Sequence, residues 1–218
     1  MTTRLAICIP AKETLYTEFS VRLYQLLKFN WENNIQCELF INTGTALSHQ
    51  REASVLNAQK YQATHILWLD SDMIFPKNTA KKLLDHNLKI VCANYITRRP
   101  PHYFIGRTND VFDKDGNWNQ EPNLYNTNDV LTEVNYIGMG CMLTDIEVFH
   151  TIPRPWFEIK KHPKSHEYIV EDANFCQLAR QFGYKIVVDN ALTKQIKHIG
   201  IFAVDSNADI DGSFNNQY

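Results

Sequence analysis

The sequence predicts an α/β fold: a single domain built on a mostly parallel central sheet flanked by helices. Three observations lead to it. Short apolar runs, Leu5–Pro10, His65–Leu69 and Lys185–Asp189 among them, are nearly uninterrupted, as strands buried on both faces must be. Strand and helix patterns alternate from Leu5 to Tyr95, which favours parallel strands joined by right-handed crossovers. The 218 residues, 44% hydrophobic and 21% charged, match the size and composition of one globular domain.

Each element follows in order. After Leu5–Pro10, the residues Tyr16, Phe19, Leu23, Leu26 and Leu27 recur at helical spacing until Asn33-Asn34 breaks the pattern. A second strand, Cys37–Ile41, ends at Asn42-Thr43-Gly44, and Ser48 is placed to cap a helix reaching about Tyr61. The third strand, His65–Leu69, runs into Asp70-Ser71-Asp72. Pro76 suits a helix start before Lys77–His86, and Lys89–Tyr95 is a fourth strand leading to Arg98-Arg99-Pro100-Pro101. Residues 106–130 lose hydrophobic periodicity and read as a long surface excursion. Their acidic turn, Asp113 to Asn117, has its glycine fourth rather than sixth and lacks flanking helices, which argues against a calcium loop. Glu133–Leu143 reads as one strand interrupted by Gly138-Met139-Gly140, marking either close backbone approach to a ligand or a bulge. A short helix follows near Ile146–Phe149, and Pro153–Glu167 reads as a mobile stretch able to close as a lid. Asp172 then caps a helix whose buried face is Phe175, Leu178, Ala179 and Phe182, with Gly183 at its end. Residues 1–200 are expected to form the domain and 201–218 a polar tail.

Composition excludes several classes. Lys+Arg 22 against Asp+Glu 24 leaves a formal charge of -2, so no global basic field recruits nucleic acid. Five cysteines lie singly in apolar segments without a Cys-x-x-Cys pair, and read as reduced thiols suited to the cytoplasm. No apolar run approaches the ~18 residues of a transmembrane helix.

The chemistry concentrates at strand ends. Asp70 and Asp72, two apart, share a face if the strand continues, and paired carboxylates there call for a divalent cation; the alternative is a pair of helix-capping side chains. Arg51 lies in the first turn of its helix, where free N–H groups already favour an anion, although a solvated arginine fits the pattern as well. Arg98 and Arg99, just past a strand end, suit phosphate or acceptor binding, or a surface charge pair. Trp156 and Phe157 read equally as a flat face for an acceptor sugar or as core aromatics.

The order of these motifs resembles that of nucleotide-diphospho-sugar glycosyltransferases of the GT-A fold, close to glycosyltransferase family 2 and to small enzymes of that kind in phages and large viruses. The resemblance spans nearly the whole chain. It rests on LAICIPAKE from Leu5, SHQREASV from Ser48, HILWLDSDMIFP from His65, IVCANYITRRPP from Ile90, YIGMGCML from Tyr136, VEDANFCQLARQFGYKIVVD from Val170 and KHIG from Lys197. It implies transfer of a sugar from a nucleotide-diphospho-sugar, expected to be UDP-linked, to a hydroxyl of a glycan or other acceptor. It further implies Mn²⁺ or Mg²⁺ held by Asp72 and His198, with Asp70 on the ribose or on metal-bound water. Pro10, Ala11 and Glu13 would line the base and ribose pocket, and Ser71 and Gly138-Met139-Gly140 the donor. Asp172, with Glu171, would be the catalytic carboxylate, giving an inverting reaction. The resemblance leaves open a retaining transferase on the same fold or an inactive sugar-nucleotide-binding module. A phosphatase of the haloacid-dehalogenase type also ends a strand in Asp-x-Asp, but on its first strand and with Thr or Val following, where this chain has Met73-Ile74.

Overall fold

The computed structural model describes residues 3–100, 102–113, 115–117, 119, 128 and 130–200; the tail expected at 201–218 lies outside them. In chain order the elements are β1 (Arg4–Ala11), α1 (Thr17–Glu32), β2 (Gln36–Thr43), α2 (Leu47–Lys60), β3 (His65–Leu69), β4 (Met73–Ile74), α3 (Thr79–Asp85) and β5 (Ile90–Cys92). There follow β6 (Leu131–Val134), β7 (Cys141–Asp145), α4 (Ile146–Thr151), β8 (Lys160–Lys161), β9 (Tyr168–Ile169), α5 (Glu171–Gln181), β10 (Ile186–Asp189), α6 (Asn190–Thr193) and β11 (Lys197–His198).

A seven-stranded sheet has the order β2-β1-β3-β7-β5-β10-β6. Strands β2, β1, β3, β5 and β10 run one way, while β7 and β6 run against their neighbours. The expected mostly parallel sheet is therefore present, with two reversed strands. Alternate residues of β1 divide the core. Ala6 and Cys8 join Val55 of α2, Phe149 of α4 and Phe175 of α5 on one face; Leu5, Ile7 and Ile9 join Phe19 and Leu26 of α1 and Leu83 of α3 on the other. This two-sided burial explains why the strand sequences are apolar without alternation.

Several local expectations are corrected. The segment read as one glycine-interrupted strand is two strands: β6 pairs with β10 at the sheet edge, and β7 lies between β3 and β5. The reason is a large neighbour. A Cβ on Gly138 would come within 2.3 Å of the Tyr95 hydroxyl, and one on Gly140 within 2.8 Å of the Tyr95 ring. The Tyr95 hydroxyl accepts a hydrogen bond from the Gly140 N–H at 3.0 Å, so the glycines make room for a tyrosine. Ser48 and Asp172 are not N-caps: α2 starts after Ala46 and α5 after Val170, neither with a side-chain cap. Pro76 does not start α3; its carbonyl accepts from the Thr79 N–H and hydroxyl, and the chain before it forms β4.

The Pro153–Glu167 stretch is anchored at its start. The Glu52 carboxylate accepts from the backbone N–H of Trp156 and of Phe157 and pairs with Arg154. Beyond it, β8 and β9 form a small antiparallel ribbon. In the 106–130 excursion, the Asp113 carboxylate accepts from the N–H groups of Asp115 and Asn117, so its acidic sequence closes a turn of its own. Gly183 has φ +83, the left-handed conformation expected just past a helix end.

The cysteines of the described residues are free, and burial pushes the thiols of Cys8, Cys141 and Cys176 up to about 12. Such thiols are poor nucleophiles. No helix among the described residues is long and apolar enough to cross a membrane.

The contact between Tyr95 and the glycines is testable. Gly138→Ala should destabilise the fold by roughly 1–3 kcal/mol through overpacking. Adding Tyr95→Phe, which removes the atom in the way, should recover part of that loss in urea unfolding. Strict additivity of the two changes would show that the clash is not the cause.

Candidate active site

Strands β1 and β3 end side by side, and the carboxyl ends of parallel strands are where ligands of open α/β sheets gather. The chain does not continue straight past Leu69. The Asp70 N–H donates to the Gly140 carbonyl at 3.1 Å and the Met73 N–H to the Asp70 carbonyl at 3.2 Å, so Asp70–Asp72 is a turn leading into β4. The two carboxylates are consequently directed to different partners rather than sharing a strand face. Asp70 Oδ1 lies 3.3 Å from Arg51 Nη2, whereas Asp72 Oδ2 lies 2.7 Å from Arg98 Nη1 and 3.3 Å from His198 Nε2.

His198 reaches Asp72 because β11 pairs antiparallel with β4, matching His198 with Met73, and the Ile199 N–H donates to the Asp72 carbonyl at 2.8 Å. The ring is oriented from behind: His198 Nδ1 lies 2.9 Å from the Ile96 carbonyl, which can only accept, so Nδ1 carries the proton. In the neutral ring, Nε2 then offers a lone pair to a carboxylate oxygen. That juxtaposition requires either a proton on Nε2 or a cation between the two atoms. Burial acts to raise the Asp72 pKa, but the His198 hydrogen bond and charge and the Arg98 charge outweigh it and hold the carboxyl below its usual range. Burial likewise works against a charged His198, yet its bonds to Asp72 and Ile96 raise its pKa overall. No group of three His, Cys, Asp or Glu side chains placed to hold a metal occurs among the described residues.

Arg51 is not a solvated arginine. It is 2% exposed, with Nη1 3.1 Å from Glu171 Oε1 and Nη2 3.3 Å from Asp70 Oδ1. Burial disfavours its charge, and Asp70, Glu171 and Asp172 together more than compensate. Asp172, next to Glu171 in the first turn of α5, accepts from the Ala173 N–H at 2.7 Å and from the Tyr136 hydroxyl at 3.3 Å. Burial pushes its carboxyl up to about 6; Arg51 opposes the shift and Glu171 adds to it. A carboxylate poised there can hold or release a proton near neutral pH.

The remaining expected residues divide. Pro10 and Ala11 are buried at the end of β1, and the Ala11 carbonyl accepts from Gln50 Nε2 at 2.9 Å; Glu13 and Arg99 are exposed, and Ser71 is partly buried within the turn. Met139 is buried among core side chains near Ile137 and Met142, between the two glycines that face Tyr95. Trp156 and Phe157, expected as an acceptor platform, are 3% and 1% exposed. They belong to a core cluster in which Phe157 meets Trp68 at 5.5 Å and Phe175 at 5.3 Å, so they present no face to a ligand. Sequence reasoning missed Tyr95, Tyr136 and Gln50. Only Tyr95 left a signal, because two glycines two apart at a strand end imply a bulky neighbour as readily as a ligand.

This sheet order, the reversed strand β7 at its centre and the acidic turn after β3 define the GT-A fold, a Rossmann-like α/β architecture. Solved structures share it. Protein A197 from STIV superposes with a TM-score of 0.53 at 14% identity, over 94% of this chain and 99% of that one. The catalytic domain of Drosophila beta1,4-galactosyltransferase 7, in complex with xylobiose, gives 0.54 at 13% identity, over 91% and 71%. A mutant of the same enzyme in complex with manganese, UDP-Gal and xylobiose gives 0.52 at 13% identity, over 91% and 71%. No family model matches the sequence, and no curated protein matches it significantly.

Two predictions follow from the charges alone. Arg51→Met leaves two carboxylates facing each other without their cation, and should cost roughly 3 kcal/mol in denaturant unfolding. A loss within a few tenths would mean that the buried pairs contribute nothing. For Asp172, a folded pKa near 6 exceeds the ordinary carboxylate value of 3.8, so its ionisation opposes folding as pH rises through that window. Asp172→Asn should accordingly raise stability above pH 6, by on the order of 2 kcal/mol, and change little below pH 4. Thermal melts at pH 4 and pH 8 check the sign.

Proposed function

We propose that the protein is a glycosyltransferase that moves a sugar from a nucleotide-diphospho-sugar, UDP-linked as in the galactosyltransferase neighbour, to a hydroxyl of a glycan acceptor. The observation that carries this reading is the Asp72–His198 pair, set 3.3 Å apart beyond the carboxyl ends of β1 and β3, with the partly buried Asp172 linked to the same region through Arg51.

The residues fit a divalent cation. With His198 Nδ1 bonded to the Ile96 carbonyl, Nε2 and Asp72 Oδ2, 3.3 Å apart, are the two protein ligands that would hold Mn²⁺ or Mg²⁺, which typically takes its other ligands from substrate phosphates and water. Mn²⁺ suits the imidazole better. A bound ion supplies charge neutralisation to the departing diphosphate, as a Lewis acid. Arg98, whose side chain is 51% exposed, pairs with the same Asp72 oxygen and would compete with an ion there, or bind the diphosphate if released from it.

Asp172 then acts as the base. It accepts the proton of the acceptor hydroxyl as that oxygen forms its bond to the anomeric carbon, while the carbon–oxygen bond to the diphosphate breaks and its electron pair leaves with the nucleotide. Tyr136 orients the carboxylate through its hydrogen bond to Oδ2. Arg51 keeps Asp172 from rising further out of the useful range by opposing the desolvation shift. In-line attack by a base-activated hydroxyl inverts the anomeric centre, and the configuration of the product decides this: retention would remove the role given to Asp172. Asp70, the nucleophile that a phosphatase reading would require, is paired with the buried Arg51 at 3.3 Å.

A thermal-shift screen with UDP, other nucleotides and Mn²⁺ tests the donor side, since ligand binding stabilises the native state in proportion to affinity. UDP should raise the melting temperature only with metal, Asp72→Ala and His198→Ala should abolish the shift, and Arg98→Gln should strengthen binding of Mn²⁺ alone. No response to any nucleotide with metal would sink the assignment. With an active donor, the transfer rate should fall about tenfold per pH unit below pH 6, as Asp172 takes up its proton.

A further inference from the structure

A cavity of about 380 Å³, within the range of small-molecule sites, runs along one side of α5. None of Asp70, Asp72, Arg98 or His198 lines it, so it is distinct from the region given to the donor. Its helical wall is Ala173, Gln177 and Arg180, spaced four and three apart and hence stacked on one face of α5. Across from them lie the 110–113 part of the surface excursion, Asn135 and Tyr136, and the 162–164 part of the loop between β8 and β9.

The cavity passes beside the base, although Asp172 itself does not line it. Tyr136 lines it and hydrogen-bonds Asp172 through its hydroxyl, and Ala173, the residue after Asp172, contributes only a methyl group to its wall. Its chemistry is that of a neutral, hydroxyl-rich ligand. Asp110 Oδ1 accepts from Arg180 Nη1 at 2.5 Å and from Asn135 Nδ2 at 3.3 Å, which places a planar carboxylate, guanidinium and amide side by side with their charges cancelled. Asp113 and Lys164 likewise balance, so no net field draws in a phosphate. Phe112 and His162 lie tilted against each other at 42° with ring centroids 4.9 Å apart, adding an aromatic surface to the polar wall. Planar hydrogen-bonding groups meet sugar hydroxyls, and an aromatic face meets the apolar C–H side of a pyranose.

We propose that this groove is a saccharide-binding subsite that holds the body of the acceptor beside Tyr136 and the first turn of α5, one residue from Asp172. It rests on the transferase reading for its role, though its ligand class follows from its own walls. It also replaces Trp156 and Phe157, which are sealed in the core.

The test uses the full chain, fluorescently labelled, on an array of neutral xylo-, gluco-, galacto- and manno-oligosaccharides, without nucleotide or metal. At least one class should bind. Gln177→Trp, an exposed position whose larger side chain fills the groove, should weaken that binding at least tenfold, while Lys28→Ala on α1 leaves it unchanged. Arg180→Ala, checked by melting temperature, gives a second reading should the tryptophan variant misfold. Absence of binding to every neutral saccharide, or binding by both groove variants equal to that of the parent chain, overturns the subsite. The same samples are melted with UDP and Mn²⁺, where Gln177→Trp should keep the parent shift. UDP binding without groove-dependent saccharide binding overturns this subsite alone; groove-dependent saccharide binding without any nucleotide response overturns the transferase reading and leaves the saccharide site standing.

Discussion

The guanidinium of Arg51 is the constraint on which the arrangement of the site depends. It is buried between Asp70, nineteen positions away, and Glu171, a hundred and twenty positions away. A charge in that setting is tolerated only when its partners are held in place, so each of the three residues fixes the other two. The link ties the end of β3 to the first turn of α5. By doing so it sets the spacing between the Asp72–His198 pair and Asp172. The same cation restrains the Asp172 carboxyl, whose desolvation alone would carry it higher.

Around that link, polar contacts between distant segments place the walls of the site. Glu52, beside Arg51 on α2, holds the backbone of Trp156 and Phe157, so that one turn of helix organises both the charged centre and the start of the β8–β9 segment. Gln50, from the preceding position, donates to the Ala11 and Gly44 carbonyls and draws the ends of β1 and β2 together. Three consecutive polar residues of one helix thus anchor five separate stretches of chain, which accounts for a helix with so much polar side chain facing inward.

The sequence made the sheet legible where burial was two-sided. β1, β3 and β10 are apolar without interruption, and α1 and α5 carry their helical stripes in Phe19, Leu23 and Leu26 and in Phe175 and Ala179. Strand direction was not legible, because nothing local in Cys141–Asp145 encodes whether it runs with or against β3. Two-residue strands such as β4 and β11 carry no periodicity at all, so the pairing that delivers His198 could be anticipated only by resemblance. Arg51 read as surface or ligand-binding because the partners that bury it lie in other parts of the sequence. Trp156 and Phe157 were ambiguous for the opposite reason: an aromatic pair looks the same whether its neighbours are a sugar or Trp68, Phe149 and Phe175.

The pairing of β11 with β4 also bears on the order in which a nascent chain acquires its chemistry. Synthesis from the amino terminus delivers the segments that carry β1, β3, Arg51 and Asp70 early. The Asp72–His198 pair cannot exist until residue 198 has emerged and its two-residue ribbon has zipped onto Met73–Ile74. Throughout translation, then, the acidic turn is exposed to the cell's ions with its imidazole partner missing. A cut in the backbone between β10 and β11 would leave every strand of the seven-stranded sheet on one side and His198 on the other, held to the acidic turn only by the β11–β4 pairing and its side-chain contacts.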